Sequence, residues 1–267
     1  MTPPRTNRTR TNRTRTSRTR NTRLTTSLAL LALALVTAGA GHGDLSQRLA
    51  GADRSDADKE RDAGRKPADV VAFLGIGPGE TVMDVIAAGG YYTEVLSIAV
   101  GEKGKVYAQN PPAVLKFRDG ANDKAMTARL AGGRLSNVER IDLGIADLAI
   151  ADDSLDAAVT ALNFHDVYNG RGEDVAVSFL LGIYAKLKPG GVLGIIDHDG
   201  EAGQDNQKLH RIEKQRVLDV IAKTPFELAA ESDLLATKED DHSQNVFAPG
   251  LRGQTDRFLL RLSKPKC

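Results

Sequence analysis

From residue 81 to residue 196 the chain alternates short apolar runs with segments of helical periodicity, and this alternation limits its possible folds more than any other feature. The runs at 81–86, 105–108, 155–162 and 192–196 are short and mostly apolar, as strands buried on both faces are, and 138–143 reads as a further strand. Between them, 92–100, 112–130 and 173–187 read as helices, the second with Gly120 as a point of breakage. In the third, Val177, Leu180, Leu181, Tyr184 and Leu187 recur at helical spacing as one apolar stripe. Strands joined through helices imply βαβ units, right-handed crossovers and a parallel sheet. The end of the chain departs from this rule. An amphipathic helix is expected over 207–223, then a strand at 226–230 and another at 257–262. Only the polar stretch 234–255 separates those two strands, so the last strand should run antiparallel. The expectation is one α/β, doubly wound Rossmann-like domain over 67–267. It would hold a mostly parallel seven-stranded sheet with an antiparallel last strand.

The chain before this domain has a different character. Residues 1–40 hold eight Arg and no acidic residue, in repeats of Arg-Thr-Asn-Arg-Thr-Arg. They end in the apolar run 28–36 and the small residues Thr37-Ala-Gly-Ala40. A basic region, a short apolar core and a small-residue end make a secretory signal peptide, expected to be cleaved near Ala40. The run is well short of the ~20 residues that span a bilayer. A periplasmic or secreted protein follows, with no membrane span in the mature chain. Residues 41–66 form a polar extension whose charge run, 53–62, reads as a solvated helix or linker without chemistry.

Without residues 1–40 the chain carries 28 basic and 35 acidic side chains. That net charge of −7 disfavours a phosphate backbone as partner. Aromatics make up 4% and Trp is absent, which argues against stacking on nucleic-acid bases. The one cysteine, Cys267, excludes a disulfide framework. No nucleic-acid partner is expected.

In open α/β sheets ligands sit at the carboxyl ends of the strands, near the switch point. At the first such end stands Val82-Met-Asp-Val-Ile-Ala-Ala-Gly-Gly-Tyr-Tyr-Thr93: an acid inside the strand, a small-residue loop, then a helix. At another, Leu187-Lys-Pro-Gly-Gly191 leads into an apolar strand ending at Asp197. Between them, the pieces from Asn137 and from Asp147 to Val159 keep the same order and spacing. These three features resemble class I methyltransferases that use S-adenosylmethionine (SAM), over about residues 67–263. Four further segments are similar to a subgroup of exported methyltransferases: Gly89-Gly-Tyr-Tyr-Thr, Asn163-Phe-His-Asp166, Leu209-His-Arg-Ile and Arg252-Gly-Gln-Thr-Asp-Arg-Phe.

The resemblance implies SAM as cofactor, held by Asp84, the loop Ala88, Gly89 and Gly90, Asn110, Asp147 and Asn163. Asp84 would orient the loop or meet the ligand, Asp147 the adenine amino group and Asn163 the methionine part. Two departures stand out. Ile86 and Ala88 occupy positions where the family carries Gly, and Asn110 replaces the acid that meets the ribose hydroxyls. His165 and Asp166 follow the fourth strand and are the candidate catalytic pair, as base or acceptor holder; a histidine closing a loop is the structural alternative. His165, His198, His210 and His242, with nearby carboxylates, invite a metal hypothesis. No two of them have tight ligand spacing, so no metal ligand is assigned. The expected partner is a small-molecule acceptor. Two other classes stay open: a non-catalytic exported ligand-binding protein, and a metal-assisted hydrolase using the histidine rim.

Overall fold

The computed structural model describes residues 44–266, and the leader expected over 1–40 lies outside them. Five strands come first: β1 (Thr81–Val85), β2 (Lys105–Gln109), β3 (Val138–Ile141), β4 (Leu155–Ala161) and β5 (Leu187–His198). They pair in parallel in the order β3-β2-β1-β4-β5. Then β7 (Arg257–Ser263) runs antiparallel between β5 and β6 (Glu227–Ser232), closing a seven-stranded sheet. The expected architecture is the observed one. The chain winds outward from β1 to β3 and returns to place β4 beside β1. The switch point, and the crevice it creates, therefore lies at the carboxyl ends of β1 and β4.

Alternate residues of each strand serve opposite faces. On one face Met83, Val85, Ala158, Leu193 and Ile195 pack against α7 (Glu173–Lys186) and α9 (Lys214–Ile221). On the other, Val82, Val106, Val159 and Ile196 meet α3 (Pro67–Leu74) and α4 (Tyr91–Val100). Each fully buried Leu, Ile or Val in these layers contributes about 1.5–3 kcal/mol. Gly194 in β5 lets α3 approach closely, for a Cβ there would sit 2.5 Å from Leu74 Cδ1.

Four details differ from the sequence reading. The polar extension is not free: residues 44–51 form α1, Asp56–Arg65 form α2, and Leu45 and Leu49 join the second layer of the core. Ser55 caps α2 by accepting from the Asp58 amide, and Asp56 and Asp58 favour its positive end. In α7 the buried stripe is Ala176, Phe179, Leu180 and Ile183, while Leu181 is exposed and Leu187 already belongs to β5. Residues 163–172 hold a helix, α6 (Phe164–Arg171), that has no apolar periodicity to announce it. The helix expected over 207–223 is two: α8 (Asn206–Leu209) ends at His210, whose φ of 55° is left-handed, and α9 begins four residues later. Between them Ile212 makes a bridge to Asp199. The remaining crossover helix, α5 (Pro112–Leu130), breaks at 117–120, with left-handed Arg118, Asp119 and Gly120.

Candidate active site at the carboxyl edge of the sheet

Between β1 and α4 the chain turns through three left-handed residues, Ile86 (φ 56°), Ala88 (φ 48°) and Gly90 (φ 85°). A side chain in that conformation costs roughly 1–2 kcal/mol, so the loop must be held by its surroundings. The end of β2 holds it. Gln109 accepts from the Ile86 amide through Oε1 (3.0 Å) and from the Ala87 amide through its backbone oxygen (2.9 Å). Asn110 accepts from the Ala88 amide through Oδ1 (2.8 Å), and its Nδ2 donates to the Ala88 carbonyl (3.2 Å). Asn110 is fully buried, with Oδ1 and Nδ2 each bonded to the backbone of Ala88. Its amide thus supports the cradle from below.

Asp84 is buried beneath the same loop and accepts from Thr93 Oγ1 (2.6 Å), tying β1 to the first turn of α4. Burial pushes its carboxyl up to about 6, against the opposing pull of the Thr93 bonds. Gly90 serves both conformation and packing: a Cβ there would lie 2.9 Å from Arg129 Cδ and 3.0 Å from Met126 Cε of α5. Arg129 Nε also donates to the Gly89 carbonyl (2.8 Å). Its guanidinium pairs with Glu94 and with Asp58 of α2 (2.7 Å), and Arg134 joins on Glu94. This buried ionic network clamps the N-terminal extension onto the loop. Nothing in the sequence announces it, since its members lie far apart and resemble any surface charges. Tyr91 and Tyr92 pack edge-to-face at 5.2 Å, and Tyr91 donates to Asp62 (2.6 Å). Asp147 stands exposed at the end of a short 3₁₀ turn, Ile145–Asp147, beyond β3.

After β4, Asn163 Nδ2 donates to the Ile86 carbonyl (3.0 Å) and to the Ala161 carbonyl (2.7 Å). This bridge joins the loop after β1 to the start of α6. The first turn of a helix presents amides with no partner inside the helix. Here the carboxylate of Asp197, fully buried at the end of β5, accepts from the His165 amide (2.7 Å). Its other oxygen accepts from His165 Nδ1 (2.7 Å) and from the His198 amide (2.8 Å). One side chain thus caps α6 and orients the imidazole. With the proton on Nδ1, the lone pair of His165 lies on Nε2. That atom is 3.4 Å from Asp166 Oδ1, and His210 Nδ1 is 3.5 Å from the same oxygen.

Burial alone would lower the pKa of His165, but the charge and hydrogen bond of Asp197, with Asp166, outweigh it and raise the value. Burial likewise acts to raise Asp197, and His165 overrides it, leaving this carboxylate below its usual range. His198 differs: burial pushes it down to about 3, so it is neutral, with Nδ1 2.8 Å from Thr255 Oγ1.

The structure therefore brings His165, Asp166, His198 and His210 together. It does not bring in His242, the fourth histidine of the expected rim, or the neighbouring Asp240. Asp240 forms a buried bidentate pair with Arg211 (2.9 Å twice), and His242 Nε2 lies 3.0 Å from Asp256. Asp197 is a site residue that the sequence marks only as the end of a strand. It ends the fifth strand, and two-residue alternation from the buried Leu193 and Ile195 places it on the face that α6 covers.

No protein-family model matches the chain, and no curated protein sequence matches it. Solved structures do. A SAM-dependent methyltransferase from Aquifex aeolicus superposes with a TM-score of 0.55 at 21% identity, over 74% of this chain and 89% of that one. A geranyl diphosphate C-methyltransferase from Streptomyces coelicolor A3(2), solved with Mg²⁺, geranyl-S-thiolodiphosphate and S-adenosyl-L-homocysteine, gives 0.55 at 15%, over 79% and 82%. The [4+2]-cyclase SpnF gives 0.52 at 18%, over 77% and 82%. At these identities the likeness establishes the Rossmann-like methyltransferase fold.

Proposed function

We propose that this chain is a class I SAM-dependent methyltransferase acting on a small-molecule acceptor. The observation that carries the reading is the Asn163 bond to Ile86, which sets the loop after β1 beside the His165–Asp197 pair. A donor cradle and a proton-accepting group then share one edge of the sheet. The donor would meet the loop at Ala88 and Gly89, which are half-buried while Gly90 packs under Arg129 and Met126 of α5, and the adenine side at Asp147, which is exposed. They depart from the family at Asn110, which steadies the loop in place of a carboxylate on the ribose. Asn163 would hold the methionine part. Bound SAM supplies an electron-poor methyl group on a sulfonium. Transfer in line requires mainly that donor and acceptor be positioned, which rigid strand ends do well. His165 takes the acceptor's proton at Nε2 while its Nδ1–H stays on Asp197. Asp166, exposed beside it, holds the acceptor.

Calorimetric titration with S-adenosylhomocysteine tests the reading, with one site per chain expected and a silent titration contradicting it. A second reading, a ligand-binding protein without turnover, draws on Asn110, whose polar atoms are both taken by Ala88. Donor binding with no demethylation of labelled SAM across a small-molecule panel would favour that reading. Fold alone does not decide between them.

The proposal extends to location. The leader pattern supports export to the periplasm or medium, with cleavage near Ala40. An intact mass that retains residues 1–40 on protein recovered from the cytoplasm contradicts it.

A further inference from the structure

We infer that His165, Asp166 and His210 form a binding site for a divalent transition-metal ion, zinc or a metal of similar preference, at the acceptor end of the crevice. One ligand atom from each of the three lies within 4.8 Å of the others. The two resolved edges, 3.4 Å from Asp166 Oδ1 to His165 Nε2 and 3.5 Å to His210 Nδ1, are longer than a normal N–H···O bond. They match another geometry. Nitrogen and oxygen ligands 2.0–2.1 Å from zinc at the tetrahedral angle stand about 3.3–3.5 Å apart. The third edge, between the two imidazoles, lies within the same 4.8 Å limit, and His210 is half-exposed.

The surroundings are those of a built site. Asp197 holds the Nδ1–H of His165 and aims the Nε2 lone pair at the cluster, the carboxylate–histidine–metal arrangement that fixes a ligand's tautomer. His210 takes a left-handed backbone, and strain of that kind gathers where function requires it. The next residue explains how it is held there. Arg211 is 0% exposed and gripped by Asp240, by the carbonyls of Gln244 and Asp199, and through its own carbonyl by Asn169 of α6. That buried anchor locks the α8 end against α6 and delivers His210 to Asp166. Two imidazoles and one carboxylate suit zinc and its neighbours and not Mg²⁺, which prefers oxygen ligands. The ligands come from two separated segments, which is why spacing in the sequence does not reveal them.

Three protein ligands leave the fourth position for an exogenous oxygen or sulfur, as in catalytic zinc sites. What the ion does there rests on the reading of the chain as a methyltransferase. An acceptor hydroxyl or thiol on that position would lose its proton to water at neutral pH, leaving its electron pair on the oxygen or sulfur that is methylated. With the ion bound, Nε2 of His165 is a ligand and the acceptor's proton goes to water; in the chain without the ion, Nε2 takes that proton.

The test uses untagged full-length chain stripped with EDTA and titrated with Zn(II), and with Co(II) as a visible reporter. One equivalent should bind, with Co(II) showing the intense visible bands of a four-coordinate site. Asp166→Asn and His210→Ala should each weaken Zn(II) binding by more than about 100-fold, beyond the 10–100-fold that loss of an outer partner costs. His242→Ala, outside the cluster, should leave it unchanged. Both ligand positions are exposed enough for the variants to keep wild-type circular dichroism and melting temperature, which are recorded alongside. No stoichiometric binding, or equal affinity in Asp166→Asn, His210→Ala and wild type, overturns the site. Titration of the same samples with S-adenosylhomocysteine separates the two claims. Donor binding without metal binding overturns the site alone; metal binding without donor binding upholds the site and overturns the methyltransferase reading.

Discussion

Asp197→Asn should be among the most damaging isosteric changes in this protein, and the size of the effect follows from its three donors. The native carboxylate accepts from the His165 amide, the His165 ring and the His198 amide. An asparagine presents one oxygen and one NH₂ group. If the oxygen serves the His165 amide, the NH₂ confronts the His198 amide, and a buried donor is left unsatisfied at about 1–3 kcal/mol. The charge opposite His165 is lost as well, and breaking a buried pair by removing one partner costs about 3–5 kcal/mol. The two terms overlap, so about 3–5 kcal/mol is expected near pH 6. The pH dependence distinguishes the charge from the shape. The folded pKa of His165 is raised, so the pair contributes in full below the ordinary imidazole value near 6.5 and fades as pH rises through the raised value. On the acid side the contribution fades as pH falls through the lowered pKa of Asp197. Urea denaturation of wild type and variant across this range should show the widest gap between about pH 4.5 and 6.5, narrowing above as a neutral imidazole keeps only its hydrogen bond. A gap under about 1 kcal/mol, or one flat with pH, would refute the assignment of a charged His165–Asp197 pair.

Two other substitutions test the cradle. Asn110→Asp, which would bring a carboxylate to the ribose position of the family, places an oxygen against the Ala88 carbonyl where Nδ2 now donates; it should lower stability at pH 7 by about 1–3 kcal/mol and weaken S-adenosylhomocysteine binding, and tighter binding would mean the side chain faces the ligand. Asp84→Asn should flatten the stability profile between pH 4 and 7. The folded pKa of Asp84 is raised to about 6, so its ionisation costs stability as pH rises from the unfolded value through 6, by roughly 3 kcal/mol; parallel profiles for the two proteins would contradict this.

The sheet was legible because its signal is local and repeated. Strands β1, β2, β4 and β5 each carry their own apolar run, β3 follows from the alternation, and the polar gap before β7 predicts the antiparallel end. Asp84 in β1 and the small-residue loop 88–90 after it were legible for the same reason. What the sequence could not disclose depends on partners that are distant along the chain. Asp58 reads as one charge in a charged run, and only the fold sets it against Arg129 and makes the extension part of the core. Asn110 reads as a ligand contact in the sequence, and only the fold shows that its amide also bonds the backbone of Ala88. Helix α6 is announced by neither periodicity nor a capping side chain, because its N-terminal amide is satisfied by Asp197 from another strand. His210 sits in the middle of a plausible amphipathic pattern, which the left-handed turn interrupts to pack Arg211 against Asp240.

The central claim is that a SAM-type donor lies across the carboxyl ends of β1 and β4, and amide chemical-shift mapping with S-adenosylhomocysteine tests it most directly. On isotope-labelled full-length chain, the account predicts saturable shifts in residues 84–93, 144–147 and 162–166, with the amino-end residues Gly75, Glu80 and Lys188 unmoved. No shifts at saturating ligand, or shifts centred on those amino-end residues, would contradict it.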